Sequence, residues 1–192
     1  MKLWVGLGNP EPEHAGQRHN IGFMAIDAIA RRYDFSSWRN QFEGSVSEGF
    51  IGGQPILALK PLTYMNYSGE SVREIADFYR ISPEDITVFQ DDIDLAPGYV
   101  QIKYGGGSGG HNGLRSINLC LEAQNYYRVR LGVGRPATKK NVINYVLGEF
   151  SDAEQKWLKK MLAAIADTAP VLATGQHKLC LEKIELAMQN VS

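Results

Sequence analysis

Two histidines and one aspartate could assemble a proton-transfer centre in this chain. His19 lies in Arg18-His19-Asn20, His111 lies in a glycine tract, and Asp91 ends an apolar run. One imidazole and one carboxylate are the minimum set for general-base hydrolysis: the ring takes a proton from water and the carboxylate fixes its tautomer. No activated serine or cysteine is then required. Four asparagine-bearing clusters accompany them: Gly8-Asn9-Pro10, His19-Asn20, Met65-Asn66 and His111-Asn112. Each alone would be an ordinary turn or cap. Together they suit a carbonyl-bearing or peptide-like ligand, because a carboxamide both donates and accepts.

Other chemistries fit the same residues less well. Gly6-x-Gly8 invites a dinucleotide reading, but Glu11 occupies the third small-residue position between Pro10 and Pro12, so no helix starts there to cradle a pyrophosphate. Gly106 to Gly110 matches G-x-S-x-G around Ser108, a cheap match in a glycine tract, and the downstream acid and histidine of a serine triad are poorly supplied. Asp91, Asp92 and Asp94 with His19 and His111 suggest a metal cluster. Only one or two residues of the Asp-Asp-x-Asp run can point the same way, so one functional aspartate among turn and cap acids is expected, with no metal.

Those residues must be held by elements that the pattern predicts. Lys2–Leu7, Pro55–Leu59, Ile86–Gln90, Val100–Tyr104 and Tyr127–Val133 read as strands. Ile21–Tyr33, with Asn20 as its N-cap, Ser68–Tyr79 and Gly113–Leu121 have helical spacing. Ser151-Asp152-Ala153-Glu154 matches a capping box opening a long helix to about Leu172. Strands alternating with helices imply one α/β domain over residues 1–192, with a mixed, largely parallel twisted sheet, helices on both faces and C-terminal helices from about 151. Ligands in such folds sit beyond the carboxyl ends of strands. Asn9, Asp91 and the glycine loop, taken to follow strands that end on one edge, are expected there.

The loop itself is conspicuous, since six of the nine residues from Gly105 to Gly113 are glycine. That composition costs folding entropy, so backbone amides are expected to approach a ligand there. Charge agrees with an anionic ligand. Between Leu95 and Lys140 the chain carries seven basic residues against the single acid Glu122, while the whole protein is at −1. No apolar run is long enough for a membrane span. Cys120 and Cys180 lie in apolar helical surroundings without metal-ligand spacing and read as two core thiols.

These motifs occur together in a known order. GLGNP at Gly6–Pro10, RHNIG at Arg18–Gly22, KPLTYMNYSG at Lys60–Gly69, DDIDLAPG at Asp91–Gly98, GGGSGGHNGL at Gly105–Leu114 and RVRLGVGRP at Arg128–Pro136 resemble bacterial-type peptidyl-tRNA hydrolase. The resemblance implies hydrolysis of the ester between a peptide and the 3′-terminal ribose of tRNA, by a cytoplasmic monomer that needs no cofactor or metal. It implies His19 as general base, Asp91 as its orienting carboxylate, and Asn9 and Asn66 on the peptide and the developing oxyanion. Asn112 would contact the peptide or the attacking water, and Tyr64 and Met65 would line the pocket. Lys103 and Arg130 would clamp a tRNA phosphate. His111 is counted with the substrate-binding residues, although a structural hydrogen bond in the loop is preferred for it. Glu11, His14 and Gln17 replace the family's usual Gly, Tyr and Thr, which leaves open that His14 or Glu11 modulates the pocket entrance. A non-catalytic RNA-binding module and a serine esterase using Ser108 are the alternatives.

Overall fold

A computed structural model describes residues 1–189. Its seven strands are β1 (Lys2–Gly6), β2 (Arg39–Gln41), β3 (Gly44–Ile51), β4 (Gln54–Pro61), β5 (Ile86–Asp92), β6 (Val100–Tyr104) and β7 (Tyr127–Gly132). They form one sheet in the order β2-β3-β4-β1-β5-β7-β6. The central four, β4, β1, β5 and β7, are parallel. β2 and β3 at one edge and β6 at the other are antiparallel to their neighbours. The helices are α1 (Ile21–Arg32), α2 (Ser68–Tyr79), α3 (Asn112–Leu121), α4 (Val142–Val146), α5 (Asp152–Ala173) and α6 (His177–Gln189).

Two apolar layers sandwich the sheet, and the period-2 alternation of the central strands feeds both. Trp4, Phe89, Val129 and Leu131 face α1, α5 and α6. Leu3, Val5, Ile86 and Val88 face α2 and α3. Ser151 caps α5, accepting from Glu154 N–H at 3.2 Å while the Glu154 carboxylate accepts from Ser151 N–H at 3.0 Å. Cys180 is buried, but Cys120 is only partly so and is not a core thiol.

Three departures from the sequence reading bear on the site. Asn20 stands at the N-cap of α1 but makes no side-chain cap bond. Its carboxamide is spent on Asn9 instead, accepting from Asn9 N–H and donating to Asn9 C=O. The β2–β3 hairpin was not anticipated, because GSVSEGFI scatters its apolar residues among Ser, Gly and Glu. Most important, β6 runs against β7, with Tyr104 opposite Tyr127 and Val100 opposite Leu131. Tyr127 in turn pairs with Thr87 and Leu131 with Asp91. The glycine loop therefore leaves the sheet at the level of Thr87, four residues below Asp91, and must climb roughly 13 Å to reach the carboxyl edge.

Candidate active site

The close approach of α1 to the sheet sets the geometry. A Cβ on Gly22 would collide with Phe89 O and the Leu7 backbone, so only glycine lets the helix start sit on the ends of β1 and β5. The turn before it, Arg18–Asn20, then holds His19 above Asp91. His19 Nδ1–H donates to both carboxylate oxygens of Asp91 at 2.9 Å. From the other side His111 Nε2–H donates to Asp91 Oδ1 at 2.8 Å. His111 Nδ1 accepts the N–H groups of Gly113 at 3.0 Å and Leu114 at 3.4 Å, so the same ring caps α3. These bonds assign both tautomers. His19 Nε2 is left without a protein partner among the described residues, and the ring lines the cavity.

Asp91 is 4% exposed. Burial alone would raise its pKa, but the two imidazoles outweigh this and hold its carboxyl well below the usual carboxylate range. Burial likewise lowers the pKa of His19, and the Asp91 charge and hydrogen bond more than restore it, to above the ordinary 6.5. The trio offers one donor atom each within 4.8 Å, as a metal site would. Its hydrogen bonds argue otherwise. A metal on His111 Nε2 would leave that ring accepting at Nδ1 and ligating at Nε2, which demands an imidazolate. Asp92 and Asp94 turn away to Arg130 and Arg135, so they add no ligands.

Both ring nitrogens of His111 are committed within the protein, while its ring lines the same cavity as His19. Ser108 makes no hydrogen bond to an imidazole among the described residues, so nothing activates it as a nucleophile. The glycines at Gly6 and Gly8 serve helix packing, since side chains there would strike Gly22 O and the Phe23 ring.

The asparagines surround this centre. Asn9 is fixed by Asn20 and donates from Nδ2 to Gln17 Oε1 at 3.3 Å. Gln17 Nε2 donates to His14 Nδ1 at 2.6 Å, and His14 Nε2 lies 3.8 Å from Glu11 Oε2. The three positions that depart from the family pattern thus form one line from the surface to Asn9. Asn66 and the 68%-exposed Tyr64 line a hollow of about 540 Å³ beside the centre, which Met65 and Asn112 also border. Asn112 also lines a larger cavity of about 640 Å³, whose wall includes His19 and Asp91 together with Lys103, Arg128 and Arg130.

The basic stretch looks different in three dimensions. Arg130 Nε–H donates to Asp92 at 2.7 Å, and Arg135 pairs with Asp94. The two acids precede the stretch in sequence and cancel part of it in space. Arg128 is 2% exposed and has no carboxylate partner among the described residues. It donates to the carbonyls of Gly106 and Gly107, each at 2.6 Å, and its guanidinium sits 4.5 Å from the Tyr126 ring centre. A buried cation is costly unless such acceptors surround it. Here they are the glycine loop itself, so Arg128 pins the climbing segment to the sheet. Lys103 extends beside it: a Cβ on Gly106, whose φ is +101°, would meet Lys103 Nζ at 2.8 Å. Glycine is required there both for that backbone conformation and for the approach of the cation.

Sequence reasoning did not find Gln17, Arg128 or Arg18. Arg18 ties the His19 turn to the far wall: it pairs with Glu154 at 2.6 Å, donates to Tyr145 O at 3.1 Å and stacks over the Tyr145 ring. Beyond Tyr145, Val142, Ile143 and Val146 of α4 present an apolar wall to the cavity. The signal for Arg128 was available, since Arg128 alternates along β7 with the apolar Val129 and Leu131 and so falls on the other face of a central strand, where it must be covered.

Comparison with known proteins bears on this arrangement. A family model described as peptidyl-tRNA hydrolase matches residues 3–191. A peptidyl-tRNA hydrolase of Gluconobacter oxydans is 56% identical over 186 residues, covering 97% of this chain and 98% of the relative. One of Acidiphilium cryptum is 53% identical over 192 residues, covering 100% of both. The crystal structure of peptidyl-tRNA hydrolase from Acinetobacter baumannii superposes with a TM-score of 0.90 at 38% identity, covering 96% of this chain and 94% of that one.

Proposed function

The chain belongs to the peptidyl-tRNA hydrolase family, and from this we propose that it hydrolyses the ester joining a peptide's C-terminal carbonyl to the 3′-terminal ribose of tRNA, with His19 as base. The observation that carries the proposal is the His19 ring, anchored through Nδ1 to buried Asp91 and open at Nε2 on a cavity that runs to basic side chains. Nε2 takes a proton from water as the oxygen attacks the ester carbonyl. Asp91 stabilises the imidazolium that forms. Asn66 donates its amide N–H to the oxyanion, Asn9 and Asn112 hold the peptide, and Tyr64 and Met65 flank the ester. When the tetrahedral intermediate collapses, the ribose oxygen leaves with the proton held by His19. An ester is reactive enough for a positioned water to suffice without a covalent intermediate, and no metal or cofactor is invoked. The enzyme acts in this proposal as a cytoplasmic monomer on peptidyl-tRNA. No helix among the described residues is long and apolar enough to cross a membrane.

The test is release of free tRNA from N-acetyl-aminoacyl-tRNA by the wild type and His19→Ala, with and without EDTA. EDTA-insensitive turnover that disappears in the variant supports the proposal. Turnover surviving in the variant overturns the choice of base, and tRNA binding without release by either protein would make this an RNA-binding module. Because the His19 pKa is raised above 6.5, the base form dominates only at pH above that raised pKa. kcat/KM is therefore expected to fall as pH drops through it and to level off on the alkaline side.

Lys103 and Arg130 contribute unequally to the tRNA phosphate clamp, because Asp92 already neutralises part of Arg130. Lys103→Ala is expected to lower the slope of log Kd against log salt by about one unit. Arg130→Ala should lower it by less, as filter binding at several salt concentrations would show. Gln17→Leu removes the acceptor that orients Asn9 Nδ2. With roughly 1 kcal/mol of hydrogen-bond orientation lost, KM should rise about fivefold with kcat less affected. Steady-state kinetics showing the reverse split would exclude Asn9 from substrate holding.

A further inference from the structure

His111 is the one titratable side chain of the centre that the proposed mechanism does not use. Yet it is 8% exposed at the side chain, its ring lies 5.0 Å from that of His19, and it bonds directly to the carboxylate that His19 depends on. The ring is locked at both ends. Two backbone N–H groups at the start of α3 point at Nδ1, which therefore carries no proton. The remaining proton sits on Nε2 and is directed at Asp91 Oδ1. Gly113 makes the lock possible, because a Cβ there would press on Leu7 Cδ1 and Met65 Sδ at 2.8 Å. The helix start can thus settle deeply enough to bring the ring to Asp91.

We propose that His111 is a positioning residue: held as the neutral Nε2–H tautomer by the α3 N-terminus, it donates to Asp91 and so limits how strongly that carboxylate retains a proton on His19. The inference rests on His19 being the base. A carboxylate sharing its charge with a second donor is a weaker partner for an imidazolium. His19 is thereby kept unprotonated and able to accept from water at lower pH than a lone His–Asp pair would allow. Other charges near His19 are engaged elsewhere. Arg18, on its own turn, is bound to Glu154 of α5. Asp92, next on β5, is bound to Arg130 of β7. Glu11 and His14, after β1, line up behind Gln17. The α4 wall supplies apolar side chains, and of the other cations on the cavity Arg128 is bound to the carbonyls of Gly106 and Gly107 while Lys103 lies against Gly106.

Two substitutions separate the cap from the donation. In His111→Asn the amide oxygen stands about where Nδ1 stood and can cap α3, while nothing reaches Asp91. In His111→Gln the amide nitrogen stands about where Nε2 stood and can donate to Asp91, while the cap is lost. The experiment is the pH profile of kcat/KM on N-acetyl-aminoacyl-tRNA for both variants, the wild type and His19→Ala, with thermal unfolding of each. In His111→Asn the acid limb is expected to move up by about half to one pH unit, a loss of about 3–10-fold below the limb. In His111→Gln the limb is expected to stay with the wild type whatever the absolute rate. An unmoved limb in His111→Asn, with His111→Gln the more damaged protein, would reduce His111 to a helix cap and overturn the proposal. So would imidazole ¹⁵N spectra of the wild type showing the His111 proton on Nδ1, a readout that does not depend on a variant folding. Turnover in His19→Ala would overturn the parent reading as well, whereas an inactive His19→Ala with an unmoved His111→Asn limb would sink this inference alone.

Discussion

His19→Ala is expected to lower kcat by about 10²–10⁴-fold, the ordinary share of a positioned general base, with affinity for deacylated tRNA little changed. Arg130 is bound to Asp92 and Arg128 to the carbonyls of Gly106 and Gly107, and among the described residues none of the cavity's basic side chains bonds to His19, so the substitution removes the proton acceptor without taking a partner from them. It does strip one of two donors from buried Asp91, and a buried carboxylate losing a hydrogen bond costs about 1–3 kcal/mol. Loss of turnover in this variant could therefore be confused with loss of folded protein. His19→Asn resolves the two effects: its amide N–H can take the place of Nδ1–H against Asp91, but it offers no base. Both variants should be equally inactive in tRNA release, while only His19→Ala shows a depressed unfolding midpoint. Substantial turnover in His19→Asn would mean that proton abstraction is not the task of this residue.

Asp91→Asn should be comparably severe, on the order of 10³–10⁴-fold in kcat, the scale seen when an orienting carboxylate in a serine protease is replaced by its amide. Asp91 Oδ1 accepts from both His19 and His111, and Oδ2 accepts again from His19. An amide supplies one oxygen and one NH₂ group. If its oxygen takes the place of Oδ1, it still accepts from His111, but the NH₂ now also faces His19 Nδ1 and favours the tautomer with the proton on Nε2, the nitrogen that must be free. If it is turned round, the NH₂ opposes both rings. The negative charge that stabilises the imidazolium is lost in either orientation. A pH dependence of stability goes with it. Because the folded pKa of Asp91 lies well below its ordinary 3.8, its contribution to stability is fully present above that value and is lost as pH falls toward the folded pKa. The fall in the wild type's unfolding midpoint below about pH 4 should therefore be shallower in Asp91→Asn. Parallel acid profiles for the two proteins would show that Asp91 is not the carboxylate held ionised by the histidines.

Local chemistry made much of the framework legible. A cap acts over three residues and an amphipathic face over four, so the Ser151 box and the inward faces of α1, α2 and α5 could be read from spacing alone. Apolar runs marked β1 and β5 because strands buried on both faces have little polar alternation. The residues able to do proton chemistry were also legible, since only a few side chain types can do it. What escaped was decided by partners distant in sequence. Nothing near Tyr104 states that β6 runs against β7, and that reversal is why the glycine loop must climb and why Arg128 is buried to hold it. Residues 38 apart turn Arg130 from a free cation into half of an ion pair. Residues 72 apart join His19 to Asp91, and 20 apart join Asp91 to His111. The sequence by itself determined which groups could react and which segments could carry them, because those properties are local. Only the tertiary structure decided which nitrogen of each histidine keeps its proton, because hydrogen bonds from other elements of the fold set the tautomer.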